Sequence, residues 1–324
     1  MKITINLFVL LILPICHLFC QQPGELDVDF GTNGKVVTNI KKSYDQCKAT
    51  TLQPDGKIIA VGNSYNSANW FDMLVMRLHP DGTPDAGFGL QGIVLLDAGS
   101  PNDIFYAVAL QEDGKIVAAG YSGVGFNNDF VVARFLSNGS LDTAFGSMGV
   151  VKTDIFDSED KATALSIQSD GKIVVAGTAK TGNYDDFAII RLLPEDGTLD
   201  NTFHDDGKLL VDVSFANDKP VAVAFQNDAK IVIAGNALTI GDIALVRLLA
   251  NGTPDPDFGN NGIATSNILN KPDGASSLKI LPDGKLLVAG YIFDGVSGDD
   301  DMAVYRFHSD GELDDSFGNG GIAS

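Results

Sequence analysis

Hydrophobic residues along this chain come in short runs, and the runs recur. "KIIAVG" at 57–62 is followed by "FDMLVMRL" at 71–78 and "GIVLL" at 92–96, with glycine, aspartate and asparagine filling the gaps. Short β-branched and aliphatic runs bounded by such turn formers read as strands, and the chain carries almost no amphipathic-helix pattern. In the second copy of the pattern the expected strands are "IFYAVALQ" (104–111), "KIVAAGY" (115–121), "DFVVARFL" (129–136) and "GVVKTDIF" (149–156). Within "DFVVARF", Phe130 and Val132 face one side while Val131 and Ala133 face the other. Both faces are apolar, so both must be covered by neighbours.

The recurrence has a fixed period. Phe30, Phe88, Phe145, Phe203, Phe258 and Phe317 follow one another at 55 to 59 residues, each with an aspartate three positions earlier and glycines six before and four after. "QPDGKIIAVG" (53–62) returns as "QEDGKIVAAG", "QSDGKIVVAG", "QNDAKIVIAG" and "LPDGKLLVAG", and "DMLVMR" (72–77) returns as "DFVVAR", "DFAIIR", "DIALVR" and "DMAVYR". The Asp-Gly pair closes a tight hairpin because glycine takes positive φ without strain; Ala229 replaces it once, predicting a poorer turn in the fourth copy. Self-similarity at this period marks a repeat architecture.

The pattern therefore predicts an all-β fold, a β-propeller of four-stranded antiparallel blades, over 21–324, with repeats at about 34–91, 92–148, 149–206, 207–261 and 262–320. A β-solenoid is the runner-up, although its coils are usually shorter than this period. Five sets of first-to-third strands are matched by five fourth strands beginning at Gly92, Gly149, Gly207, Gly262 and Gly321, which leaves the N-terminal "GKVVTNI" (34–40) as an unpaired strand. That strand either closes a five-blade ring beside the stub "GIAS" (321–324) or belongs to an open arc lacking a blade. The open arc is the favoured expectation, and its uncovered edges would promote self-association.

The phrases "DGKIVVAG", "DFVVAR" and "DGTLDNTF", recurring in order from Gly24 to Ser324, resemble the delta-60 repeat, a bacterial β-propeller repeat of exported proteins. The resemblance implies the propeller fold and export. It implies no particular chemistry.

Composition sharpens the partner question. The 324 residues are 44% hydrophobic, enough for a substantial core, and carry 42 acidic against 22 basic residues for a net charge of −20. Such a surface repels phosphate backbones, so nucleic acid is not an expected partner. "MKITINLFVLLILPICHLFCQQ" has one lysine, an apolar run and a polar shift at Gln21, the layout of a signal peptide over 1–20. Lipid anchoring at Cys20 is the lesser alternative, because Phe19 stands where a small residue is wanted. Beyond 1–20 no apolar run is long enough to span a membrane. Cys16 and Cys20 lie in the leader, leaving Cys47 without an internal disulfide partner.

Candidate chemistry is thin. Arg77, Arg134, Arg191, Arg247 and Arg306 recur on one strand face; half-buried guanidinium groups need acceptors, and pairing with the recurring aspartates is expected ahead of anion binding. "DVDFGTNG" (27–34) and "DPDFGNNG" (255–262) superficially resemble calcium loops but lack a twelfth-position glutamate; "GDDD" (298–301) is the best remaining metal candidate. Neither a metal nor a cofactor is expected. "NGS" (138–140) and "NGT" (251–253) match glycosylation acceptors, yet Asn-Gly has its own reason to sit in a turn.

The irregular loops all fall on one face, opposite the near-invariant "PDGK" and "PDGTPDAGFG" turns. They hold Tyr65, Trp70, Phe71, Phe126, Tyr184 and Phe293, candidate anchors for a protein or glycan ligand whose competing role is packing beneath the loops. The expected function is an exported, non-enzymatic binding or structural scaffold at or outside the bacterial surface. A hydrolase or lyase with its site on the same face is the alternative, and catalysis there requires unlike, convergent groups.

Overall fold

A computed structural model describes residues 24–40, 44–66, 70–156, 158–237, 241–266, 272–293 and 299–323, and every regular element among them is a β-strand. Blade 1 consists of β1 (Asp45–Leu52), β2 (Ile58–Tyr65), β3 (Phe71–Leu78) and β4 (Ile93–Leu96). Blade 2 is β5 (Asn102–Leu110), β6 (Ile116–Val124), β7 (Asn127–Phe135) and β8 (Val150–Thr153), and blade 3 is β9 (Asp160–Ile167), β10 (Ile173–Thr181), β11 (Tyr184–Leu192) and β12 (Lys208–Val211). Blade 4 is β13 (Asp218–Phe225), β14 (Ile231–Ala237), β15 (Asp242–Leu248) and β16 (Ile263–Ser266). Blade 5 is β17 (Asp273–Ile280), β18 (Leu286–Phe293), β19 (Asp300–Phe307) and β20 (Ile322–Ala323).

Within each blade, neighbouring strands pair antiparallel in chain order. A single parallel pair, Phe71 with Asn102, links blades 1 and 2. The first strand of every blade carries a bulge, so the register slips by one residue at the same place each time. Ala229 adopts φ 64°, the left-handed conformation that glycine takes at Gly56, Gly114 and Gly171, as its place in the turn demands.

Apolar residues on both faces of the second and third strands build cores between blades rather than within them. One core joins Val117, Ala119, Phe130 and Val132 of blade 2 to Ala162, Ile173, Val175 and Ala188 of blade 3, and each adjacent pair of blades repeats the arrangement. Phe130 reaches Gly177 and Phe187 reaches Gly235, both on the second strand of the following blade, where a Cβ would clash with the ring.

A polar joint completes each seam. Arg134 is 1% exposed; its Nε lies 2.8 Å from Asp142 Oδ2 and its guanidinium sits 4.4 Å from the Phe145 ring centre. The same guanidinium donates forward to the backbone oxygens of Pro194 and Glu195 in blade 3. Phe145 packs on Gly197, which combines a positive φ of 74° with no room for a Cβ, and Gly146 N donates to Asp196 O at 2.7 Å. Arg77 with Asp85 and Phe88, Arg191 with Asp200 and Phe203, and Arg247 with Asp255 and Phe258 repeat the joint against the next blade's turn. The arginines are thus paired with the recurring aspartates, as expected, and of the two arrangements the sequence left open, own repeat or adjacent repeat, it is the own-repeat pairing that forms.

The two ends differ from the middle. Among the described residues, blades 1 and 5 share no strand pairing, and the succession of packed first strands β1, β5, β9, β13 and β17 does not return to its start. Residues 34–40, expected as a strand, form none; Lys35 bridges to Gly31, and Ile40 N donates to Asp45 Oδ2 at 3.0 Å. Instead residues 27–36 dock as a seam without a blade: Phe30 and Val36 lie against Gly82, and Gly31 N donates to Asp81 O at 2.7 Å.

Replacing a buried paired arginine leaves its carboxylate uncompensated, so Arg134→Ala is expected to cost about 3 kcal/mol in denaturant unfolding. Arg306, whose side chain is 23% exposed and bonds Asp314 and Ser316 of its own repeat, should cost clearly less when changed to alanine. Equal losses at the two positions would contradict the forward joint.

Candidate functional site

The two faces of the blades have different chemistry. On the seam face, charged side chains are engaged with one another. Lys57, Lys115, Lys172, Lys230 and Lys285 join the arginines on Asp85, Asp142, Asp200, Asp255 and Asp314 at 2.7–3.5 Å. Despite burial, hydrogen bonds from Gly87 and Lys57 and the charge of Arg77 bring Asp85 down to about 2. Asp200 is likewise held at about 2, against burial, by the Thr202 side chain and amide and by Arg191 and Lys172. His79 and His308 stand 3.7 Å from Asp85 and Asp314, and His204 Nδ1 lies 3.1 Å from Lys208 O, so these histidines belong to the seams. In the two glycosylation-like triplets, Asn138 accepts from the Ser140 amide and hydroxyl and Asn251 from the same groups of Thr253, as Asp81 does from Thr83. The turn accounts for the asparagines.

The irregular face gathers the loops between second and third strands with the connections from each fourth strand to the next blade. Of the six aromatic candidates, Phe126 at the β6–β7 turn is 83% exposed, and Trp70 and Tyr184 are also exposed. Tyr65 and Phe71 instead face each other across their hairpin, ring centres 5.1 Å apart, with Tyr44 edge-on to Phe71 at 6.3 Å. Phe293 is half-buried at the end of β18, beside residues 294–298, which lie outside the described set.

Further residues on this side went unread in the sequence. Phe156 and Phe215 project into solvent from the connections after β8 and β12. Phe215 is held out by a left-handed backbone (φ 53°) and by donation of its amide to Asp212 Oδ1. Each stands shortly before a recurring aspartate, Asp160 and Asp218, a signal available in the sequence. Tyr106 and Tyr121 stack at 5.8 Å, with Lys48 Nζ 5.3 Å from the first ring and Lys161 Nζ 5.4 Å from the second. This row crosses three blades, and burial raises the Tyr121 hydroxyl well above its ordinary value. Between the fourth strands of blades 1 to 3 runs a groove of about 920 Å³, lined by Leu96, Val151, Lys152, Leu199 and Lys208 among others.

Five stretches, 53–88, 111–145, 168–203, 226–258 and 281–317, match the family described as "Domain of unknown function (DUF5122) beta-propeller", and together they make up more than half of the chain. The chain belongs to the DUF5122 β-propeller family. No curated protein matches it. Among solved structures, a protein of unknown function from Bacteroides caccae is similar at 14% identity and TM-score 0.46, over 86% of this chain and 85% of that one. An α-L-arabinofuranosidase from Lactobacillus brevis is similar at 13% identity and TM-score 0.43, over 83% and 92% of the respective chains. A gluconolactonase from Xanthomonas campestris is similar at 11% identity and TM-score 0.42, over 75% and 69%. At such identities the likeness concerns the fold alone.

In this DUF5122 propeller several acidic groups of the irregular face brace the connections between blades. Asp103, Asp160 and Asp218, each opening the first strand of its blade, are buried and accept amides of the preceding connection from Ala98, from Ile155 and Phe156, and from Val213 and Ser214. Asp45 does the same for Ile40. The carboxylates of Asp186, Asp212 and Asp218 come within 4.8 Å of one another, and donors from Thr181, Phe215 and Ser214 already engage them. Of "GDDD", residue 298 lies outside the described set, and Asp300 and Asp301 begin β19 exposed.

Burial pushes Asp160 up to about 6, helped by the charges of Asp154 and Asp129. A carboxyl raised in the folded state favours folding below its unfolded value near 3.8, and that advantage is lost as pH rises through about 6. Asp160→Asn should therefore raise the melting temperature at about pH 8 and leave it nearly unchanged at about pH 4. Asp200, depressed from 3.8 to about 2, stabilises above its unfolded value and loses that contribution as pH falls toward 2. Asp200→Asn should lower the melting temperature at neutral pH, with the deficit closing in acid. Melting curves across pH that moved in the same direction for both variants would contradict this assignment.

Proposed function

We propose that this propeller is an exported, non-enzymatic scaffold at or outside a bacterial surface that docks a protein or glycan through its irregular face. The observation that carries this reading is the division of labour between faces. The charged groups of the seam face are engaged in joints between blades, whereas Phe126, Phe156, Tyr184, Phe215 and Trp70 stand in solvent on the other side. Exposed aromatic side chains supply large contact area at little conformational cost and are the usual anchors of such contacts. The leader-like segment at 1–20 supports export.

The protein lacking residues 1–20 is to be screened on a glycan array and against surface-protein extracts, beside a Phe126→Ala/Phe215→Ala variant. The expected result is binding by the parent and at least about a tenfold loss in the variant, the scale of removing two anchors, with melting unchanged. Equal binding by both would remove these aromatics from the site. Turnover of ester, lactone or glycoside substrates abolished by a single carboxylate change would favour a hydrolase instead. Export is tested by intact mass in the producing bacterium: the reading predicts an extracytoplasmic species without residues 1–20, and retention of the full leader in the cytoplasm would contradict it.

A further inference from the structure

The joint that links successive blades is directional, and its two halves are left open at opposite ends of the described arc. On a trailing face, the residue four before the arginine is Met73, Phe130, Phe187 or Ile243 in blades 1 to 4, and all four are fully buried by the next blade. The equivalent in blade 5 is Met302, and it is 81% exposed. Phe317, equivalent to four fully buried phenylalanines, is only partly covered, and the Arg306 guanidinium bonds Asp314 and Ser316 and lies over Phe317, all within its own repeat.

Blade 1 shows the converse. Gly62 pairs with Cys47 as Gly120 pairs with Phe105 and Gly177 with Ala162. Phe105 and Ala162 are fully buried beneath the preceding blade, whereas Cys47 and Leu52 are exposed. The outer part of this leading face is filled, but by a mimic: "DFGTNG" (29–34) places Phe30 on Gly82 as Phe145 is placed on Gly197.

We propose that the trailing face of blade 5 docks on the leading face of blade 1 of a second copy of this chain, head to tail, and that residues 27–36 act as a strap competing for the outer half of the slot. Continuity with the existing seams identifies the occupant. Met302 corresponds to Phe130, and Phe130 lies on Gly177 beside Ala162, so docking sets Met302 on Gly62 beside Cys47 of the next copy. Phe317 then takes the place of Phe30 over Gly82, which makes the strap a brake on assembly. Such a contact is heterologous and generates rings or filaments rather than a twofold dimer. The net charge of −20 opposes it, so association strengthens with salt.

The test is oxidative cross-linking of Met302→Cys, read on non-reducing gels, with sedimentation velocity of the uncross-linked proteins. The expected result is a ladder of dimers and higher species that disappears when Cys47→Ser is added. Sedimentation should show concentration-dependent association of the parent, its loss in Met302→Asp at an unchanged melting temperature, and tighter association in Phe30→Ala. A faster-running monomer with both thiols consumed would mean that blade 5 closes on blade 1 of its own chain, and would overturn the proposal. So would a ladder surviving Cys47→Ser, or a parent that stays monomeric at high salt and high concentration.

Discussion

The fold depends on one forward contact, an arginine held by its own repeat's aspartate and phenylalanine and reaching the turn of the next repeat. A four-stranded blade with apolar residues on both faces cannot bury them alone. Stacking blades solves that problem only if their mutual orientation is fixed, because dispersion between flat sheets has little directional preference. The Arg–Asp–Phe joint supplies the direction. Its aspartate also neutralises a guanidinium that burial would otherwise make costly, and the glycine it meets lets ring and backbone approach closely.

Charge is distributed to match. Seam aspartates such as Asp85 and Asp200 are drawn below their ordinary values by cations and amides, while Asp160 on the other side is pushed up by burial. The first group rewards ionisation and the second opposes it, so the two faces respond to pH in opposite senses. On the seam side the arginines and lysines of the joints are matched to aspartates within the fold. On the irregular side, loops free of that constraint display Phe126 and Phe215 to solvent.

Much of this was legible in the sequence because it is local and periodic. The strand order, the hairpin glycines, the strained Ala229 and the pairing of the arginines with recurring aspartates all follow from spacing. What spacing does not reveal is which repeat a side chain touches. The recurring phenylalanine is plain in the sequence, yet its physical partner is a glycine of the next unit, Gly82 for Phe30 and Gly197 for Phe145. Residues 34–40 were expected as a strand for want of that information, whereas the docked segment is 27–36, with Phe30 and Val36 against Gly82. The row Lys48–Tyr106–Tyr121–Lys161 was invisible for the same reason, since it is assembled from three blades. Phe156 and Phe215 escaped because the connections carrying them do not repeat.

Hydrogen exchange of Arg191→Ala tests the forward joint most directly. In the parent, Arg191 donates to the backbone oxygen of Ala250 in blade 4, within a turn closed by Leu249 N to Thr253 O and Gly252 N to Leu249 O at 2.8 and 2.9 Å. The account predicts lost protection in residues 249–253 of blade 4 together with the Asp200 turn of blade 3, while blade 2 stays protected. Loss confined to blade 3, or spread equally to both neighbours, would contradict a joint that points one way.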